Sequence, residues 1–291
     1  MISAGAPAGD QLAGKTILVT GATSGLGLAT AEALASRGAR TILGARSQQQ
    51  AEAARRRVAA RNEDVHVVLA DLASRGAVLG MVAEVASRFD RLDVLINNAG
   101  IDVGRREVTA DGLELTFAVN YMAPFLLTNG LLGLLRASRP ARVINVVSSG
   151  HRAGKLDFED LQSERRFSGQ RAYNNSKLAL VVFTYELARR LVGSGVTANA
   201  VDPGFVRGTG IGRTLPMGYQ LLGTLLWPFM ATVDKGAETL VWAASDPSLD
   251  HTTGRYFKRG REVSTGPPTH DQDLAHRLWL ASERLAAPEP G

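Results

Sequence analysis

Short apolar runs alternate with longer amphipathic ones along this chain. Runs rich in β-branched residues fall at 16–20, 40–43, 65–69, 94–96, 142–147 and 196–201. They lack polar alternation, the mark of strands covered on both faces. Between them, apolar residues recur every three or four positions over 25–37, 47–61, 75–89, 111–135 and 170–192, which predicts helices. A further helix is predicted over 271–285, after a polar, Gly/Pro-rich stretch at 258–268. Strands joined by helices form right-handed βαβ units, and these build a doubly wound, mostly parallel α/β sheet with helices on both faces. No linker and no internal repeat divides the pattern. The expected organisation is one domain over 13–285, with loose tails at 1–12 and 286–291.

Composition narrows the class of protein. With 45% apolar and 21% charged residues, the chain can bury a substantial core. It has no cysteine, which excludes disulfides, thiolate nucleophiles and Cys-ligated metal. Its five histidines never show metal-ligand spacing, so no metal site is expected. The net charge of +5, carried mostly by arginine, suits an anionic cofactor, and no nucleic-acid motif accompanies it. The first ten residues lack a basic and apolar leader pattern. The apolar run at 221–231 is interrupted by Gly223, Thr224 and Pro228 and falls short of the roughly 20 residues a membrane span needs. A soluble, cytoplasmic protein with no membrane span is expected.

Candidate chemistry gathers where strands end. Tyr173 and Lys177 are four apart and share one helix face. A phenol ordinarily titrates near 10, and a neighbouring ammonium lowers that value, so the pair suits general acid–base work. The first strand runs into Gly21-Ala22-Thr23-Ser24-Gly25-Leu26-Gly27. A glycine turn followed by a helix N-terminus forms either a pyrophosphate cradle or an ordinary strand–helix turn. At the end of the second strand Ala45 stands where NAD-binding sites carry an acid, and Arg46 follows. An arginine there accommodates a 2′-phosphate and favours NADP(H), with NAD(H) possible; the alternative is a solvated helix-opening arginine. Asp71 and Leu72 follow the third strand, Asp71 either accepting from an adenine amino group or capping a helix. Asn98, Ala99 and Gly100 close the fourth strand, lining a cofactor floor or shaping a turn. The fifth runs into Ser148-Ser149-Gly150, where Ser149 is placed to donate to a carbonyl gaining negative charge.

Gly21-x3-Gly25-x-Gly27, Asn97-Asn98-Ala99-Gly100, Ser149, Tyr173-x3-Lys177 and Pro203-Gly204 occur in that order. Together they resemble the short-chain dehydrogenase/reductase family over about residues 14–260. The resemblance implies a Rossmann fold. It implies Tyr173 as acid–base catalyst, Lys177 tuning it and holding the nicotinamide ribose, and Ser149 polarising the substrate carbonyl. It implies Asn120 holding a water in the proton relay, with Pro203, Gly204 and Val206 beside the nicotinamide. The family's Pro-Gly-x-Val-x-Thr is broken here, Gly208 standing at the threonine position and Thr209 one later. Gly44-Ala45-Arg46, His151, 185–190 and 254–257 resemble the retinol-dehydrogenase-like branch, which uses NADP(H) on apolar aldehydes, alcohols and ketones.

Residues 211–231 are strongly apolar and include Trp227. They are expected to cover an apolar carbonyl or alcohol substrate; a subunit contact, a core helix or a membrane-surface contact are the alternatives. His151, Phe205 and Trp227 are the candidate substrate contacts. The resemblance also implies a homo-oligomer, dimer or tetramer, formed through the helix bearing Tyr173. Two rival functions stand beside the reductase. One is an NADP(H)-sensing regulator of the same fold, which would not need Asn120, Ser149, Tyr173 and Lys177; the other is a nucleotide-sugar epimerase or dehydratase, which shares Tyr-x3-Lys.

Overall fold

Each apolar run becomes a strand, and the strands lie side by side in the order β3-β2-β1-β4-β5-β6-β7-β8. In the computed structural model, which describes residues 11–206 and 231–287, these are β1 (Thr16–Thr20), β2 (Arg40–Ala45), β3 (Val65–Leu69), β4 (Val94–Asn97), β5 (Ala141–Val146), β6 (Val196–Asp202), β7 (Tyr256–Lys258) and β8 (Arg261–Glu262). All pairs are parallel except β7–β8. The order reverses between β1 and β4. That switch point opens a crevice at the carboxyl ends of the strands.

The helices are α1 (Gly25–Ala35), α2 (Gln48–Ala59), α3 (Arg75–Arg88), α4 (Leu115–Ala137), α5 (Gly169–Arg190), α6 (Val233–Ser245) and α7 (Gln272–Ala286). Successive strand residues serve opposite faces. Ile17 and Val19 pack under α1, α2 and α6, while Leu18 joins the core beneath α3, α4, α5 and α7. Among the described residues α4 alone is long and apolar enough to cross a membrane, and two-thirds of its apolar stretch (67%) is buried within the fold. Its apolar character goes into the core.

The structure refines these bounds. The helix predicted from 111 begins at Leu115: Gly112 turns with φ +77°, and Glu114 caps the start by accepting from Thr116 N and Phe117 N at 2.9 and 2.8 Å. Within α4, Ala118–Met122 form a π turn, in which the N–H of Ala123 reaches back to Ala118. The stretch after Phe257 contains a strand pair. Lys258 and Arg261 face each other across Arg259 and Gly260, which take φ +53° and +70°, the left-handed geometry of a tight hairpin. The tails are shorter than expected, because Leu12 is buried and bonds Arg37 O at 2.8 Å, and Ala287 O accepts from Arg75 at 2.6 Å.

Helix α7 lies on the outer faces of α4 and α5. Trp279 stacks on Phe183 and meets Phe125 edge-on, Arg190 lies 3.9 Å above the indole, and Tyr121 OH bonds Ser282 Oγ at 2.6 Å. The chain's own helix thus covers this part of α5.

Candidate active site

At the switch point β1 ends in Thr20, whose buried hydroxyl accepts from the N–H groups of Asn98 and Ala99, both at 3.0 Å. The Asn98 amide returns the contact, donating to Thr20 O at 2.8 Å. Asn98 therefore braces the glycine turn to the end of β4. Gly21 and Gly25 both take positive φ (+64° and +50°). A Cβ on Gly27 would stand 2.3 Å from Gly21 O and 2.5 Å from the Asn98 amide, so only glycine lets the first turn of α1 lie this close. The Ser24 side chain makes no cap bond to α1, leaving the helix N-terminus open toward the crevice. Such a terminus suits a phosphate. Arg46 is exposed at the end of β2, beside a buried Ala45. Asp71 accepts from Ala73 N at 3.0 Å in a local turn, and the helix cap given as its alternative is made by Ser74, which accepts from Ala77 N, while Leu72 packs against the core. Arginine, open helix terminus and glycine turn fit a phosphate-bearing dinucleotide such as NADP(H).

Across the crevice, α5 carries Tyr173 and Lys177, 8% and 3% exposed. The Lys177 ammonium lies 5.8 Å from the Tyr173 ring centroid and donates to Val146 O at 2.9 Å. Burial dominates the titration of both. It pushes the phenol up to about 12, against a hydrogen bond from the Ser148 side chain and with Asp102 and Asp202 adding to the rise. It pulls the ammonium down to about 8, partly offset by Asp202. The expected lowering of the phenol by its lysine is not found: desolvation and the two aspartates disfavour the phenolate, and the Ser148 hydrogen bond is what opposes them.

The serine contacts run differently from the sequence expectation. Ser148 is the residue whose hydroxyl reaches the phenol. Ser149 points to β6 and β7, donating to Asp202 Oδ2 and accepting from Lys258 Nζ, both at 2.5 Å. Local packing explains this. A Cβ on Gly150 would meet Asn174 Oδ1 at 2.6 Å, so the turn after β5 presses onto α5 beside Tyr173 and presents Ser148 there. His151 is buried behind that turn, its Nδ1 on Ser148 O at 2.7 Å and its ring 5.0 Å from that of Tyr256. Burial lowers its pKa, and its Nε2 has no hydrogen-bond partner among the described residues. The histidine therefore supports the serine turn and does not line open space.

Asn120 sits in the π turn of α4 and clamps two elements. Its Oδ1 accepts from Ile101 N at 2.8 Å, and its Nδ2 donates to Ile101 O and Ser176 Oγ at 2.9 and 3.0 Å. Asn120 Oδ1 and Lys177 Nζ both lie 3.4 Å from where a Gly100 Cβ would be, which brings the asparagine beside Lys177. Gly204, at φ +82°, donates to Asp202 Oδ1 at 2.8 Å, fixing the turn after Pro203. Phe205 is 72% exposed and Val206 is buried, pairing with Ala231. Trp227, Thr209 and nearly all of 211–231 lie outside the described residues.

Sequence reasoning missed Ser148, Thr20, Asp102, Asp202 and Lys258. Spacing to Tyr173 does not separate two adjacent serines, and Thr20 reads as one more β-former. Asp202, a lone acid ending an apolar strand ahead of Pro203, was a signal that went unused.

The short chain dehydrogenase family model matches residues 15–219. The chain is 42% identical to human (Homo sapiens) retinol dehydrogenase 14 over 288 residues, covering 93% of this chain and 85% of that one. The crystal structure of a protein from Mycobacterium paratuberculosis matches with TM-score 0.77 and 33% identity, covering 94% of each chain. The Pseudomonas aeruginosa RhlG/NADP active-site complex matches with TM-score 0.69 and 28% identity, covering 85% of this chain and 95% of that one.

Proposed function

This chain belongs to the short chain dehydrogenase family and is an oxidoreductase; from that premise we propose that it reduces an apolar aldehyde or ketone with NADPH, or runs the reverse oxidation, with Tyr173 as acid–base catalyst. The observation that carries the reading is the meeting of Ser148, Tyr173 and Lys177 at one corner of the crevice. When bound, the nicotinamide supplies or removes the hydride. Glycine turn and α1 terminus hold its phosphates, and Arg46 takes the 2′-phosphate.

Tyr173 carries the proton that the carbonyl oxygen receives, and a phenol pushed up to about 12 holds that proton at neutral pH. Ser148 donates to the oxygen as negative charge grows on it, in the role first assigned to Ser149. Lys177, brought down to about 8, is still cationic at neutral pH and lies 5.8 Å from the centre of the phenol ring. Asn120 holds Ile101 and Ser176 so that this corner keeps its shape. The apolar substrate class is supported by the exposed Phe205 at the crevice, and relatives named for retinol fit it.

Tyr173→Phe is the test, read against a graded series of straight-chain aldehydes and alcohols. Turnover falls by at least about a hundredfold while NADPH affinity, followed by fluorescence titration, is kept. Near-wild-type kcat would remove the assignment. Better kcat/KM on short polar ketones than on long aldehydes would remove the substrate class.

A further inference from the structure

The ends of β5, β6 and β7 share a buried polar network that the acid–base scheme leaves unused. At its centre is Asp202, whose side chain is 3% exposed. Its Oδ2 accepts from Ser149 Oγ at 2.5 Å and Tyr256 OH at 2.8 Å, and faces Lys258 Nζ at 3.5 Å. Its Oδ1 accepts from Gly204 N. Lys258 also donates to Ser149 Oγ, so ammonium, hydroxyl and carboxylate close a ring. A carboxylate this buried is tolerable only when paired and hydrogen-bonded, and among the described residues Lys258 is the cation bonded within the ring.

The ring borders the catalytic corner. Ser149 is joined covalently to Ser148, the partner of Tyr173, and the Asp202 charge reaches both Tyr173 and Lys177. Among the described residues, the charged and titratable groups facing the corner are Lys177 on α5, Asp102 beyond β4, His151 and Arg152 beyond β5, Asp202 on β6, and Tyr256 and Lys258 on β7.

We propose that Lys258 is a positioning residue of the acid–base site: by pairing with Asp202 and donating to Ser149 it locks three strand ends into one frame, which holds Ser148 on the Tyr173 phenol and keeps the Asp202 charge balanced beside it. The inference deepens the functional reading and rests on Tyr173 as the acid–base group. Without the Lys258 ammonium, an unbalanced carboxylate faces the phenol, and like charge disfavours the phenolate. Oxidation needs that phenol to lose its proton, so its activity must then wait for higher pH.

The experiment is the pH profile of kcat for NADP-linked oxidation of the best alcohol in the graded series, on the full chain. It compares wild type, Lys258→Met, Lys258→Arg and the double variant Asp202→Asn/Lys258→Met. The rising limb of Lys258→Met moves up by about one pH unit. Lys258→Arg stays with wild type, and so does the double variant, in which acid and base disappear together. A Lys258→Met profile that overlays wild type, whatever its Tm, overturns the inference. Should that variant not fold, the double variant decides: a wild-type limb supports the charge-balancing frame, and a displaced one overturns it. Tyr173→Phe separates the two levels, since loss of turnover there with an unmoved Lys258→Met limb rejects Lys258 alone, whereas retained turnover rejects the acid–base reading itself.

Discussion

Between β1 and α1 the working atoms belong to the main chain: N–H groups at a helix start, glycines with positive φ, and a turn in which a Cβ on Gly27 would stand 2.3 Å from Gly21 O. At the ends of β5, β6 and β7 they belong to side chains, a serine, a phenol, a lysine and an ion pair drawn from elements far apart in sequence. The two regions fail in different ways. A main-chain site fixes volume and backbone angle, so it resists change at a few glycines and ignores most other substitutions. A side-chain site sets its proton affinities through burial and neighbouring charge, so single residues tune it without moving the fold.

This contrast can be broken or sharpened by substitution. The largest effect is expected at the side-chain end, where Ser148→Ala lowers kcat by about 10²–10³-fold with NADPH affinity unchanged. Ser149→Ala, losing a frame contact only, lowers it by less than about tenfold; steady-state kinetics on the two variants would reverse the serine assignment if their ranking were inverted. Next comes Gly27→Ala. Overpacking costs about 1–3 kcal/mol, so NADPH dissociation rises by about 10–100-fold in a fluorescence titration while kcat at saturating cofactor changes little. If kcat collapses with affinity intact, the two regions are not separable. The smallest effect is at Arg46→Ala, which weakens NADPH by about tenfold and NADH hardly at all. Equal loss for both would place the 2′-phosphate elsewhere.

The main-chain region was legible in the sequence, because glycine spacing after an apolar strand states a backbone requirement directly. Six strands and six helices could be read from periodicity for the same reason. The hairpin at Tyr256–Lys258 and Arg261–Glu262 could not: its strands are three and two residues long, too short for any period, and its turn uses an arginine where asparagine is usual. In the side-chain region residue types were legible but pairings were not. Choosing Ser148 over Ser149 requires knowing that Gly150 lets the turn press onto Asn174. Recognising that burial and the aspartates set the phenol requires the packing of the whole corner.

The π turn at Ala118–Met122 gives α4 one residue more than a regular helix would place there. Since each residue rotates a helix by about 100°, the segment ahead of the turn and the segment behind it are out of phase. Asn120 faces Ile101 and Ser176 only because of that offset, while Phe125, Leu127 and Leu131 face the core. Deleting a single residue in the turn would restore an unbroken ladder and remove the bulge that carries Asn120. The extra residue is a phase shift written into the chain, an insertion whose meaning lies in the angle it adds and not in the side chain it brings.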